Sequence, residues 1–457
     1  MRFKSLITKS CFVLLVISIL IMCTSCSNPI KMDQITTEKD EIVIATIFGD
    51  KSELEKLAAE YNKQYDDREV IIKDYWDNND INELEHSLTR LQTDCLGDNS
   101  PDIVDCDNLG SFLRNLAKDG YLADQTTYIE NDTVLSIDDF YTKVLETGKY
   151  EESIYWIPQT FGMSTLVIPE EDFTGSWTFL DFMEYIDKYP EATVWMGNYS
   201  SDYAMWEFCL LRNLTDSFVN MQDGENYFDS DEFKRLLAMA KERCSCDNSE
   251  EMAEYYSIDD KNAFARNKFE NHEWLAGFCN VILLDAVARD VETYGNAGKC
   301  VGFPTRSGKG YSILNADNGF AILKSSEKKD KAWDFIRYCI LQTPKWGDYA
   351  LYSYKPHMQS KIEKELSLYG QSEEVIKDEE GNVVEIRIGD HNVNEDAVSF
   401  IYDMLENSKP CSEHDEVLFD IVCEELDSFF NGEKDVDEVC DIIQSRVQLY
   451  VDENSRQ

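Results

Sequence analysis

At 457 residues the chain is too long for a single hydrophobic core and is sized for two or three domains. Its 43% hydrophobic content is that of a globular protein, but a net charge of −46 makes it strongly acidic. Nucleic acids and anionic membrane surfaces recruit basic patches, so neither is expected as a partner of the body.

The first 25 residues differ from the rest. Arg2, Lys4 and Lys9 precede a 12-residue apolar run, Cys11 to Met22. That length suits the core of a signal peptide, since a bilayer span needs roughly 20 residues. The following CTSCSN, with small residues Thr24 and Ser25 before Cys26, resembles the lipobox of bacterial lipoproteins. It departs from that pattern at Cys23, where leucine is preferred. The resemblance implies cleavage before Cys26, lipidation of its thiol (palmitate or a similar acyl chain) and a body held at the outer face of the cell membrane. Residues 26–40 then read as a flexible tether. Eleven cysteines follow Cys26, an odd number that cannot all pair within the chain. Cys339 and Cys440 fall on apolar helical faces, where a free thiol packs as a small hydrophobe. Cys244-Ser-Cys246 lacks a second pair at zinc spacing, so neither a metal site nor a cofactor is expected.

From Glu41 the chain alternates between strand and helix patterns. EIVIATIF (Glu41 to Phe48) is a continuous apolar run, as for a strand buried on both faces of a parallel sheet. Ser52 and Glu55 match a capping box, and Leu54, Leu57, Ala58 and Tyr61 keep helical spacing. A strand at Glu69 to Trp76, a helix through Leu84 and Leu91, a strand at Pro101 to Asp107 and a helix stopped by Gly120 complete a βαβαβα unit. Ligands in open α/β sheets bind at the carboxyl ends of strands, which here carry Phe48, Asp50, Trp76 and Asp107.

These blocks, with SELEKLAAEYNKQY and SPDIVDCDNLGSFLRNLAKDGYL in that order, resemble the extracellular solute-binding proteins of ABC importers, family 1. The resemblance implies a two-lobe α/β fold of the type II periplasmic-binding-protein kind, with hinge crossings and a cleft between the lobes. It also implies a carbohydrate ligand and delivery to permease subunits, by a protein expected to be monomeric and not an enzyme. The residues leave alternatives open: a peptide or polyamine ligand, or service to a membrane sensor kinase. An extracellular hydrolase is the remaining class, but among five histidines there is no H-E-x-x-H arrangement, and G-x-S-x-G is absent.

Tyr155 to Phe173, framed by Pro158 and Pro169, reads as the strand crossing into a second lobe, with Gly162 as a bending point. Thr160 and Phe161 are then expected at the cleft floor. A helix through Phe179 and Ile186, a strand from Thr193 with Tyr199 in its loop, and a helix through Phe233 and Ala240 follow. Asn262 to Ala286 resembles a helix-then-strand block of the family, with Asn267 in place of its glycine; Trp274 is the candidate stacking platform. Asn318 stands just before an apolar strand, Phe320 to Leu323, which reads as the return crossing, and Trp333 on the next helix reads as packed. A third crossing is placed near Tyr352 to Met358, with Tyr352 facing the cleft, and Glu373 to Asp390 reads as a hairpin insertion. The expected division is therefore 41–161 plus 319–352 for the first lobe and 162–318 plus 353–457 for the second. The terminal helix, capped by Asp435, presents Val439, Cys440, Ile443 and Val447 on one face.

Overall fold

The computed structural model describes residues 39–47, 51–76, 83–106, 109–195, 214–244, 253–255, 257–294, 298–316, 319–342, 350–371, 373–377, 383–388, 392–410 and 413–454. Two sheets organise them. The first has four strands in the order Phe320–Ile322, Ile103–Asp105, Asp40–Thr46 and Arg68–Asp74. The last three are parallel, and the returning strand Phe320–Ile322 lies antiparallel on the edge, with Phe320 opposite Asp105.

Successive side chains of a strand point to opposite faces, so an apolar run implies cover on both. Ile42, Ile44, Ile103, Phe320 and Ile322 face one layer, with Tyr61, Trp333 and Phe335 from helices Ser52–Asn62 and Lys329–Leu341. Ala45, Val104, Ala321 and Leu323 face the other, with Leu91 and Leu113 from helices Glu83–Leu96 and Gly110–Lys118. Helix Gly110–Lys118 stops as expected, Gly120 taking a left-handed φ of 75°. The capping box expected at Ser52 is not formed. Ser52 is already helical, and the cap position falls on Lys51, whose side chain makes no capping bond.

The second sheet is built around one long strand, Thr160–Pro169. It pairs antiparallel with Trp274–Val281 on one side and with Ser312–Asn315 on the other. Leu351–Tyr352 pairs with its first residues and Gly298–Cys300 with its last. Thr193–Trp195 and Ser408–Pro410 extend the two edges. Period-two alternation again divides the faces. Leu166 and Ile168 enter a core with helices Phe179–Lys188, Asp231–Cys244, Glu413–Phe430 and Val436–Asn454. Phe161, Met163 and Val167 enter a separate core with helices Leu284–Tyr294, Lys355–Leu368 and Glu395–Glu406.

The long strand is not broken at Gly162, which pairs with Asn315 inside it. Glycine serves proximity there, because a Cβ at Gly162 would stand 2.9 Å from Cγ2 of Ile282. Trp333 is packed as expected, 4% exposed, its indole N–H donating to Asp132. Strands Glu373–Lys377 and Val383–Ile388 form the expected two-stranded hairpin. Among the described residues, Cys95, Cys106, Cys279, Cys300, Cys339, Cys423 and Cys440 form no disulfide, and Cys339 and Cys440 are buried among apolar side chains.

Candidate ligand-binding cleft

Strand direction locates the cleft. In the first sheet the three parallel strands end at Thr46, Asp74 and Asp105, and the returning strand begins beside Asp105 at Phe320. In the second, the long strand starts at Thr160, so its antiparallel neighbours Trp274–Val281 and Ser312–Asn315 end beside that start. The carboxyl ends in both sheets therefore meet at the passages between them, which is where open α/β sheets bind ligands.

Three passages run side by side there. The backbone N–H of Ser353 donates to the carbonyl of Gln159 at 3.0 Å, and the Ser353 hydroxyl donates to the carbonyl of Pro158. Gly319 carries a φ of 127°, and a Cβ on it would stand 2.4 Å from the carbonyl oxygen of Ile157. Only glycine accommodates both conditions. Gln125 braces the same place from the first lobe: its fully buried amide donates to the carbonyls of Tyr155 (2.8 Å) and Phe320 (2.9 Å). The outgoing and returning passages are thus held by one side chain, which sequence reasoning missed. A glutamine in a polar stretch, AD-Gln-TT, has no local pattern that announces contacts 30 and 195 residues away.

At the carboxyl end of strand Arg68–Asp74, Asp74 is paired with Lys51 at 2.7 Å and accepts the backbone N–H of Trp76 at 2.9 Å. The hydrogen bond to Asp74 raises the pKa of Lys51, which keeps it cationic. The Tyr75 hydroxyl donates to Asp94 at 2.7 Å, and burial pushes its pKa up to about 12, so it stays neutral. Trp76 itself is half-buried at this edge. On the opposing edge stand Asn280, whose side-chain oxygen accepts from Ser164 at 3.3 Å, the exposed Asn315, and Ile282, 52% exposed beside Gly162. An indole, amides, a carboxylate and an apolar methyl group are what an uncharged polyhydroxylated ligand uses for stacking and hydrogen bonding. Asn280, Asn315 and Ile282 were not picked from the sequence; only the antiparallel pairing with the long strand shows that they lie at this edge.

The expected site residues divide three ways. Trp76 and Thr160 lie at the meeting edges, both half-buried. Phe48, Asp50, Asp107, Tyr199 and Asn318 lie outside the described residues, as does Cys26. Phe161 and Tyr352 sit at the passages, yet their rings are packed into the second-lobe core at 4% and 5% exposure. They form the floor of the junction and are not open platforms. Trp274 requires a plain correction. It is 1% exposed, wedged edge-on against Tyr255 and Phe264. It begins the strand whose other end reaches the passages, so it stands at the far pole, ~23 Å away at about 3.3 Å per residue.

The sequence from residue 46 to 342, well over half of the chain, matches the family profile of the bacterial extracellular solute-binding proteins. The chain belongs to that family. Its fold is also that of solved members. A periplasmic solute-binding protein from Pectobacterium atrosepticum aligns with a TM-score of 0.53 at 13% identity, covering 91% of this chain and 99% of the other. An ABC substrate-binding protein from Listeria monocytogenes, solved with cycloalternan, gives 0.50 at 16% identity over 90% and 99%. An extracellular solute-binding protein of family 1 from Alicyclobacillus acidocaldarius gives 0.50 at 11% over 92% and 100%. No curated protein matches the sequence significantly. This solute-binding protein therefore has the two-lobe periplasmic-binding-protein fold, and its family is one of binders and not of enzymes.

Proposed function

We propose that the protein captures a carbohydrate in the cleft between its lobes and hands it to the permease of an ABC importer. The observation that carries this is the convergence of carboxyl strand ends from both sheets on the passages between them, with Trp76 at the strand ends of the first sheet and Asn280 and Asn315 at those of the second. The cycloalternan complex of the Listeria protein supports the ligand class. A small number of placed polar and aromatic groups suffices to orient such a ligand, and closure of the lobes removes it from water. The lobes divide at the passages, near the expected 41–161 plus 319–352 against 162–318 plus 353–457, with Thr160, Phe161, Leu351 and Tyr352 moved to the second lobe, whose sheet they join. Phe48, Asp50, Asp107, Tyr199 and Asn318 belong to the same cleft in this proposal. The lipobox-like CTSC makes Cys26 the membrane anchor at the outer face of the cell, and loss of labelled fatty-acid incorporation in Cys26→Ala tests it.

A ligand that binds only the folded state raises the unfolding midpoint in a saturable manner. Screening mono- and oligosaccharides, peptides and polyamines by thermal shift should therefore give its saturable rise with a saccharide. Trp76→Ala should weaken that saccharide by about two- to tenfold, since stacking on one aromatic ring contributes about 0.5–1.5 kcal/mol. A response to peptides or polyamines alone would sink the carbohydrate assignment.

A further inference from the structure

At the pole of the second lobe remote from the cleft, the long strand ends in the short turn Glu170–Asp172. Across from it, His272 joins helix Lys261–Glu270 to strand Trp274–Val281. His272 Nε2 stands 2.6 Å from Asp172 Oδ2 and 3.4 Å from Glu171 Oε1. One ligand atom from each residue lies within 4.8 Å of the others.

We propose that Glu171, Asp172 and His272 form a binding site for a divalent transition-metal cation, zinc by preference. The 3.4 Å separation is long for a hydrogen bond but equals the ligand–ligand edge of a tetrahedron with bonds of about 2.1 Å. The supporting shell is built as metal sites require. Asp172 has a side chain only 2% exposed, and its two oxygens are divided in use. Oδ1 accepts from Lys188 Nζ at 2.5 Å and from the Tyr189 hydroxyl at 3.0 Å, which leaves Oδ2 turned toward the imidazole. Burial opposes the charge on Asp172, yet hydrogen bonds from Lys188, His272 and Tyr189 hold its pKa below the ordinary 3.8. The ring of His272 is fixed as well. It stacks on Tyr189 with centroids 4.5 Å apart and planes 13° from parallel.

His272 also occupies the left-handed backbone region, φ 55°, a costly conformation for a residue with a Cβ. The fold holds it there with Nε2 aimed between two carboxylates. Two carboxylates and one ammonium leave the cluster one negative charge, which favours a dication. On binding, the neutral imidazole exchanges its Nε2 proton for one on Nδ1 through solvent, Nε2 and Oδ2 move apart to ligand spacing, and each donates a lone pair to the metal. Three protein ligands leave the fourth position to water. The site would staple the turn after the long strand to the loop before its neighbour. The two parts are 100 residues apart in sequence, so no spacing motif announces them.

The test is calorimetric titration of Zn²⁺ into the untagged, chelator-treated protein at pH 7.5. One saturable site is expected, with Co²⁺ at the same site giving the visible absorption of a four-coordinate complex. His272→Ala should abolish it and Tyr189→Phe should weaken it about tenfold or more through the orientation of Asp172. Glu171→Gln, at a position 74% exposed and so without consequence for folding, should also weaken it tenfold. Absence of a saturable site, or a site undiminished in His272→Ala and Glu171→Gln, would overturn the proposal and leave a closed ion cluster.

Discussion

Gln125 shows how much of the cleft rests on one uncharged side chain. Its amide donates to two carbonyls on adjacent passages, one buried and one partly buried, and the residue is 0% exposed. Truncation would strip both carbonyls of a donor, that of Phe320 in a buried setting and that of Tyr155 in a partly buried one. Each such loss costs about 1–3 kcal/mol. Gln125→Ala is expected to lower the unfolding free energy by about 3 kcal/mol, read from the urea midpoint at unchanged slope. A loss under about 1 kcal/mol would mean that the passages hold their place without it. Trp274 illustrates the opposite case, a residue whose type misleads. An indole next to a polar stretch looks like a platform, but packing against Tyr255 and Phe264 uses its whole surface. Aromatic rings are as valuable in cores as in sites, so residue type alone does not separate the two roles.

Among the elements, the strands of the first sheet were legible because they are buried on both faces and leave continuous apolar runs. The parallel order followed from the helices between them. The second sheet was less so. Its long strand was readable as a ten-residue apolar segment, nine of whose residues are buried, but which strands flank it depends on pairing that periodicity does not encode. Gly162 and Gly319 look alike in sequence and differ in structure. At Gly162 the neighbour is the movable methyl of an exposed isoleucine, and at Gly319 it is a backbone carbonyl with a left-handed φ besides. Gly319→Ala should therefore cost more than about 2 kcal/mol, and Gly162→Ala less than about 1. Thermal unfolding of the two variants checks the order, and equal midpoints would contradict it.

For the whole molecule, three passages in contact restrict relative motion of the lobes to bending about their common line. One passage would allow swivelling, whereas three hydrogen-bonded side by side resist it. Saturation with the saccharide found by screening should reduce the radius of gyration in solution scattering, and an unchanged radius would argue against closure. The two-lobe plan was visible from the order of its sequence blocks. The identities along the cleft were not, because they come from both halves of the chain and meet only after folding.

The direction of strand Asp40–Thr46 has a mechanical consequence. Its carboxyl end faces the cleft, so its amino end lies ~20 Å back, on the rear of the first lobe. Whatever precedes Asp40 is attached to that rear pole and not to the moving edge. With the proposed anchor at Cys26, the first lobe would be the post and the second the swinging arm, and a pull on the tether would load neither the jaws nor the pivot.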